Sequence, residues 1–340
     1  MKYSTKISIL YLKYLPLLIG LLFILLFLTN PVKSAHLVNA GLTTWYKHMI
    51  PSLFPFMVLS GILLRSGISK QLSNIFYPLL GKLFHLSPDC IYVIIMGFLC
   101  GFPMGATIIA DSLSLQKITQ REANLLLAFC NNIGPIYFIS FVSTVCPYYP
   151  LWLTLSIMYA VPILYGLLLR YTLYRDIPNY YSYNKNFKSN KNTSFSLNIN
   201  NYPNHITTSH NAISYMSAIE ESTQKALNSI LTLGAYMVIF NVLQLPFYNT
   251  FYTLPQNTLC ILKGLIEINS GISSIKLHPQ LYHIVYSIFL PFGGLCCIFQ
   301  TYAMIKDTVL SLGSYLIHKL IQTIWVILIY LGVSFVMTVI

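Results

Sequence analysis

The stretch GFLCGFPMGATIIADSLSLQKITQREANLLLAFCNNIGP, from Gly97 to Pro135, decides the fold of this chain. It contains two apolar pieces of membrane length, and glycine and proline interrupt them at residues 101–105 and 130–135. Backbone groups freed by a helix break cannot face lipid unpaired, so such breaks lie inside protein or beside a water-filled cavity. Broken helices at membrane depth are typical of transporter binding sites. The stretch therefore predicts half of a transport site.

The composition of the whole chain indicates a membrane protein. Of its 340 residues 56% are apolar and only 8% are charged, whereas soluble domains carry about 25% charged residues. The mean hydropathy is +0.65, and several apolar runs approach the ~20 residues that cross a bilayer. The net charge of +12 lies mainly in flanks and connectors, as the positive-inside rule expects, and does not indicate nucleic acid. We therefore predict an all-α polytopic membrane protein.

The chain divides into four parts. Residues 1–36 predict an N-terminal transmembrane helix, retained because its apolar segment reaches membrane length, with a cleaved signal peptide as the alternative. Residues 37–175 and 212–340 predict two membrane repeats, and Leu37 to Ile50 within the first predicts an interfacial amphipathic segment. Residues 176–211, rich in Asn, Ser, Tyr and Lys, predict a disordered basic linker in the cytoplasm, with a small folded loop domain as the alternative.

The two halves carry matching motifs. The tetrapeptide SGIS occurs at Ser66–Ser69 and again at Ser270–Ser273, and each copy predicts a turn after an apolar segment. A gap-free alignment pairs Gly97 with Gly293 and Asp111 with Asp307. Transporters are often built from two halves whose broken helices together form the site. We therefore predict two repeats, each with broken helices or re-entrant hairpins.

The candidate substrate-binding residues lie at the breaks. Asn131 and Asn132 offer amide donors and acceptors beside a Gly-Pro pair, with no charge to desolvate. The alternative role of these amides is to join helices to one another. A half-helix that starts after a glycine break directs free N–H groups and the positive end of its dipole at an anionic group. The predicted substrate-binding set is Gly101, Gly105, Asn131, Asn132, Gly134, Gly293 and Gly294.

Acidic residues in apolar surroundings are the candidates for coupling. Glu267 is predicted to bind a proton or a cation, and an ion pair with Lys263 is the alternative. Asp111 and Asp307 are divided between capping a helix end and contacting the substrate or an ion. The seven cysteines form no CxxC pair, so we expect neither a metal nor a cofactor. No nucleotide-binding loop or catalytic motif occurs, so we do not expect an enzyme.

The motifs resemble a known family. Residues 101–106 with Asp111, residues 118–123 and the block from Leu127 to Pro135 resemble the YlbJ-type sporulation integral membrane proteins. These are similar to the wider nucleoside-recognition (Gate) set, which includes part of the concentrative nucleoside transporters. Residues 264–271 are similar to the second-repeat motif of the family. The resemblance covers roughly residues 40–175 and 212–340, and the linker finds no match.

The resemblance implies a protein of endospore-forming bacteria, made in the mother cell and placed in the outer forespore membrane. It further implies passage of dipicolinate, pyridine-2,6-dicarboxylate, for spore maturation and cortex formation. An aromatic dianion suits helix N-termini and asparagine donors. The expected partners are a small anionic substrate and the lipid bilayer, not nucleic acid, with a homo-oligomer left open. The alternatives are a transporter of nucleosides or other small solutes, a non-transporting scaffold for spore morphogenesis and, more distantly, an enzyme acting on lipid-linked precursors.

Overall fold

The part of the chain that the structure describes is mainly helical, with short breaks and turns between helices. The computed structural model describes residues 20–21, 23–180, 212–249 and 254–339. No β-strand occurs among these residues, which confirms the predicted all-α class. Most of the predicted N-terminal helix and residues 181–211 of the predicted linker lie outside the described part.

The principal helices follow one another in chain order. They are α1 (Pro31–Arg65), α2 (Ser69–Phe84), α3 (Pro88–Cys100), α4 (Met104–Ser114), α5 (Gln120–Phe129), α6 (Pro135–Val145), α7 (Leu151–Tyr171), α8 (Ala212–Val242), α9 (Leu245–Asn249), α10 (Gln256–Ile266), α11 (Ile268–Ile275), α12 (residues 279–292), α13 (Gly294–Ile305) and α14 (Leu312–Val339). Among the described residues, five helical stretches are long and apolar enough to cross a membrane, or six if α2 and α3, bent by 100°, form one broken span. A multi-pass membrane protein follows from this count.

Helix α1 is longer than the sequence indicates. The stretch from Leu37 to Ile50 lies within α1, which continues through it without a break and contains a single π-helical turn at Trp45–Met49. The indole of Trp45 donates a hydrogen bond to the carbonyl of Ile230 in α8 at 2.8 Å, and its ring packs over Gly234. The prediction of a separate interfacial segment is therefore wrong, because this stretch packs along a neighbouring helix.

The helix ends gather at two opposite ends of the protein. At one of them, Arg170 at the end of α7 donates a hydrogen bond to the carbonyl of Phe84 at 2.9 Å. We call this the Phe84 end. At the other, the hydroxyl of Tyr286 donates to the carbonyl of Cys146, just after α6, and we call this the Cys146 end. These two reference points define the direction in which each hairpin enters.

Two helical hairpins enter the protein from opposite ends. Hairpin one is the α3–α4 pair, which begins just after Phe84 and is followed by Lys117, whose ammonium donates to the carbonyl of Leu64 at the end of α1. Hairpin two is the α10–α11 pair, whose outer residues Cys260 and Ile275 share a buried cluster with residues of the Cys146 end. Hairpins of opposite direction in the two halves are the arrangement of an inverted repeat.

In each half, a broken span crosses the hairpin at close range. The asparagine break, residues 130–134 between α5 and α6, passes hairpin one so closely that a Cβ on Gly101 would lie 2.3 Å from the nitrogen of Gly134. The Gly293 break, between α12 and α13, passes hairpin two in a similar way: a Cβ on Gly294 would lie 3.1 Å from the carbonyl oxygen of Gly264. Glycine lets backbone meet backbone at these crossings.

The second SGIS motif differs from its prediction. Ser66–Ser69 connects α1 to α2 as a turn, as expected. Ser270–Ser273 instead lies inside α11, so the prediction of a turn there is wrong. The helix forms because the carboxylate of Glu267 caps its first turn, a signal outside the tetrapeptide itself.

The register of the repeat also differs from the gap-free alignment. By order and contact, hairpin one corresponds to hairpin two, and the asparagine break corresponds to the Gly293 break. Gly101 is therefore the counterpart of Glu267, and the pairing of Gly97 with Gly293 is wrong. Apolar helices offer many chance matches of two or three residues, and the order of breaks is the more reliable guide to the repeat.

Candidate functional site

A buried cation lies where the breaks of the two halves meet. Lys319, about two turns from the start of α14, is 2% exposed. Its ammonium donates to the carbonyl of Asn131 at 2.9 Å and to Oδ1 of Asn132 at 2.8 Å. The same ammonium lies 4.4 Å from the centre of the Phe102 ring, at the turn of hairpin one. We call Lys319 with these three partners the lysine site.

Asn131 ties the asparagine break to three other helices. Its Oδ1 accepts a hydrogen bond from the backbone N–H of Ala106 at 3.3 Å, in the first turn of α4. Its Nδ2 donates to Oγ1 of Thr301 in α13 at 2.9 Å and to the hydroxyl of Tyr315 in α14 at 3.1 Å. Both donors and an acceptor of the Asn131 amide are therefore engaged by the chain itself. The amide oxygen lies at the N-terminus of α4, where an anionic substrate group was predicted.

The predicted glycines surround the lysine site as points of close approach. A Cβ on Gly105 would lie 2.5 Å from the carbonyl of Cys130, and one on Gly293 would lie 3.1 Å from the Phe102 ring. Gly101 and Gly134 cross each other, as described above, and Gly294 approaches hairpin two. The structure thus brings six of the seven predicted substrate-binding residues to the lysine site, whereas Gly294 lies against hairpin two, and the glycines act through their small size.

Glu267 is buried in a complete cage of donors. It is 2% exposed, and its Oε1 accepts from the backbone and side-chain nitrogens of Asn269 at 3.0 and 2.7 Å. Its Oε2 accepts from the backbone nitrogen and the hydroxyl of Ser270 at 2.7 and 2.8 Å. The predicted alternative, an ion pair with Lys263, does not form, because that ammonium donates to the hydroxyl of Tyr248. These hydrogen bonds hold the side chain of Glu267 in place as the cap of α11.

Hairpin two is joined to the first half next to this cap. The hydroxyl of Tyr137 in α6 donates to Oδ1 of Asn269 at 2.8 Å. On the other side, Oδ1 of Asn241 in α8 lies 2.9 Å from the hydroxyl of Ser270, so the single hydroxyl proton is shared between Glu267 and Asn241. Helix α6, which follows the asparagine break, is thus hydrogen-bonded to the turn of hairpin two. A displacement of hairpin two would therefore also move the asparagine break.

Asp111 forms a charge cluster towards the Phe84 end, away from the helix turns. Its carboxylate lies 3.8 Å from Nη1 of Arg65 and forms an ion pair with Lys225. Arg65 is also 3.3 Å from a carboxylate oxygen of Glu221. The cluster joins α1, α4 and α8, so it attaches the returning arm of hairpin one to helices of both halves.

Asp307 lies in a different environment. It is exposed in the turn between α13 and α14, and the structure gives it no ion pair within the described residues. The gap-free alignment that paired it with Asp111 is therefore wrong for the aspartates as well as for the glycines. Asp111 lies inside α4 whereas Asp307 follows α13, and the two residues have no partner in common among the described residues.

The two aspartates make a matched test. Asp111→Asn leaves Arg65 and Lys225 without their common carboxylate. We expect this substitution to lower the free energy of unfolding by about 2 kcal/mol. The value is below the range for fully buried ion pairs because Lys225 is partly exposed. Asp307→Asn should change it by less than about 0.5 kcal/mol, as surface substitutions do. Thermal unfolding of both variants in the same detergent measures this. Equal midpoints for the two variants would contradict the charge cluster.

The fold and the site define a class of protein: an all-α, multi-pass membrane protein whose broken helices form opposed hairpins around a buried polar site. Residues 46–147 match the family model described as Gate, nucleoside recognition. The match includes hairpin one and the asparagine break. It therefore contains Phe102, Asn131 and Asn132 of the lysine site, whereas Lys319 lies outside it.

The chain is also similar to the sporulation integral membrane protein YlbJ of Bacillus subtilis (strain 168), with 29% identity over 110 residues. These residues are 32% of this chain and 27% of YlbJ, so the chain spans about a quarter of the length of the curated relative that it matches. Both matches agree with the resemblance to YlbJ-type proteins that the motifs predicted, and the apolar helices make the chain an integral membrane protein. No solved structure matches the chain significantly.

Lys319, the central residue of the site, is absent from the residues predicted from the sequence. Lys319 follows His318 in a long apolar run, and an ionisable residue inside such a run is a functional candidate by default. That signal was present in the sequence. Thr301 and Tyr315, which hold Asn131, carried no comparable signal, because hydroxyl side chains are ordinary in membrane helices and their partners come from another half of the chain.

Proposed function

We propose that this protein is a transporter of small organic anions in the outer forespore membrane, with dipicolinate as its substrate. The observation that carries the proposal is Lys319, a fully buried ammonium at the meeting point of the helix breaks. Among the described residues, no carboxylate lies within 4.0 Å of it. A buried cation without a counter-charge is costly, and a substrate carboxylate supplies that charge.

The surroundings of Lys319 favour an aromatic acid. The Phe102 ring lies against the ammonium on one side, and Asn131 and Asn132 line another. Ligand sites typically combine apolar and aromatic walls with a few placed polar groups. A flat aromatic ring with carboxylates fits such a wall, with one carboxylate on Lys319. The substrate thereby draws on both halves, since the lysine comes from α14 and the other groups come from the first repeat.

The opposed hairpins supply the mechanism in this proposal. Hairpin one covers the lysine site from the Phe84 end, and hairpin two covers the Gly293 break from the Cys146 end. Alternating access moves one repeat against the other around a fixed site near the bilayer midplane. Glu267 holds the turn of hairpin two in shape, and its role in coupling a proton or a cation stays a prediction. The protein acts as a carrier without catalytic chemistry.

A nucleoside carrier is the second candidate, and the description of the matched family as nucleoside recognition favours it. A nucleoside is uncharged and would leave the ammonium of Lys319 without a counter-charge. Asn131 and Asn132 provide hydrogen bonds that a base edge also uses. An anionic substrate therefore depends on the positive charge of Lys319 whereas a nucleoside does not, and this difference can be measured.

The test is uptake of radiolabelled dipicolinate by proteoliposomes that hold the purified full-length protein, beside uptake of uridine. We expect saturable dipicolinate uptake that unlabelled dipicolinate inhibits and that protein-free vesicles lack. Saturable uridine uptake without dipicolinate uptake would establish the nucleoside candidate instead. If neither solute is taken up by protein that is folded and correctly inserted, the scaffold alternative from the sequence analysis is favoured.

A further inference from the structure

The oxygen atoms on Lys319 come from the chain itself and differ in how freely they can move. One is the backbone carbonyl of Asn131, and the other is Oδ1 of the Asn132 side chain, at 2.9 and 2.8 Å. The other end of the Asn132 amide donates to the carbonyl of Phe129. The backbone carbonyl is fixed by the break, whereas the side-chain amide can rotate away about its own torsions.

A substrate carboxylate must compete for the same ammonium. A lysine ammonium has three donors and no acceptor. Two of them are engaged by the asparagines, and the Phe102 ring covers part of the remaining surface. A carboxylate that binds Lys319 in the usual way therefore displaces the movable oxygen, which is Oδ1 of Asn132.

We propose that Asn132 is an internal substitute for the substrate carboxylate: its Oδ1 occupies Lys319 whenever the substrate does not. This inference rests on the proposed function and deepens it. A buried ammonium without acceptors is strongly unfavourable, so a carrier lacking the substitute has difficulty closing around the site without substrate. With Asn132 in place, Lys319 is satisfied in the closed conformation by the chain alone. Asn132 thereby permits net transport in addition to exchange of one substrate molecule for another.

The prediction separates two kinds of flux. Net uptake requires the carrier to return without substrate, whereas exchange against substrate inside the vesicle does not. Removing the amide with Asn132→Ala should lower the ratio of net uptake to exchange by about tenfold, since hydrogen bonds to charged groups contribute roughly 1.5–3 kcal/mol and 1.4 kcal/mol is a factor of ten. The assay is dipicolinate uptake into vesicles that are either free of dipicolinate or preloaded with it.

Two further variants keep the test decisive. Asn132→Asp has nearly the same shape but places a permanent carboxylate on Lys319, so it should suppress net uptake and exchange together by competing with the substrate. Asn124→Ala is the matched control, because this half-buried asparagine of α5 donates to the carbonyl of Gln120 one turn earlier and is outside the lysine site. Asn124→Ala should leave the ratio at the wild-type value.

The outcomes are distinct. If the wild type carries dipicolinate and Asn132→Ala lowers net uptake and exchange by the same factor, Asn132 is an ordinary binding residue and this inference is overturned while the proposed function stands. An Asn132→Asp variant with wild-type exchange would overturn it as well. If the wild type shows neither net uptake nor exchange of dipicolinate, the proposed function and this inference fail together.

Discussion

Replacing Lys319 with methionine should reduce kcat/KM for dipicolinate transport by at least about 100-fold, because loss of one partner of a buried, hydrogen-bonded charge pair costs 2–5 kcal/mol. Methionine has a similar length and no charge, so it removes the ammonium while filling the same space. The measurement is the initial rate of dipicolinate uptake into proteoliposomes as a function of concentration. The loss should appear mainly in KM if Lys319 acts in binding.

The control for this substitution is Lys263→Met. Lys263 also places its ammonium over an aromatic ring, 4.3 Å from the centre of Tyr248, but it is only half-buried and lies in hairpin two, outside the lysine site. Its replacement should change kcat/KM by less than about threefold, in line with the small contribution of exposed cation–π contacts. A Lys319→Met protein that transports dipicolinate with wild-type kinetics would remove the basis of the proposed function.

The same substitution distinguishes the two candidate substrates. An anion carrier depends on the charge of Lys319, whereas a carrier of uncharged nucleosides has no counter-charge to lose. Burying an unpaired ammonium is unfavourable, so methionine would even favour binding of a neutral solute in that site. Uridine uptake that rises or stays constant in Lys319→Met, with dipicolinate uptake absent in both proteins, would therefore identify the nucleoside as the substrate.

The helix breaks were predictable because glycine, proline and asparagine residues that occur close together interrupt an apolar helix. The breaks at Gly101, at residues 130–134 and at Gly293 lie where the sequence placed them. What the sequence did not reveal is which groups face each other across the breaks. Lys319 meets Asn131 and Asn132 although 187 or more residues separate them, and no local pattern encodes a contact of that range.

The role of Glu267 could not be predicted from the sequence either. Its position in an apolar segment predicts a functional ionisable residue, and it is indeed buried. Its four donors come from the next three residues of the chain, so the carboxylate satisfies a local break in the backbone. The spacing Glu-x-Asn-Ser is compatible with a cap, but a cap requires extended backbone at Glu267, here φ −143° and ψ 117°. Burial and role are therefore separate questions for such a residue.

Replacing Gly101 with alanine should destabilise the protein by at least about 4 kcal/mol, a large part of the roughly 5–15 kcal/mol by which native proteins are stable, because two independent costs combine. The residue has φ +79° and ψ −167°, a region that is essentially restricted to glycine and costs other residues about 1–3 kcal/mol. The added Cβ would also lie 2.3 Å from the backbone nitrogen of Gly134. Backbone in the asparagine break cannot move aside as a side chain can, so overpacking adds at least a comparable amount.

The chain offers glycines that separate these two costs. Gly67 has a similar φ of +77° with no heavy atom within 4 Å of a Cβ, so Gly67→Ala measures the conformational cost alone, about 1–2 kcal/mol. Gly332 is helical with open space around it, and Gly332→Ala should be neutral or slightly stabilising. Thermal unfolding and gel filtration in one detergent compare the three variants. If Gly101→Ala unfolds at the same temperature as Gly67→Ala, the backbone crossing of hairpin one and the asparagine break is not tight. The geometry that presents Asn131 and Asn132 to Lys319 would then need another explanation, because that crossing holds both asparagines against α14.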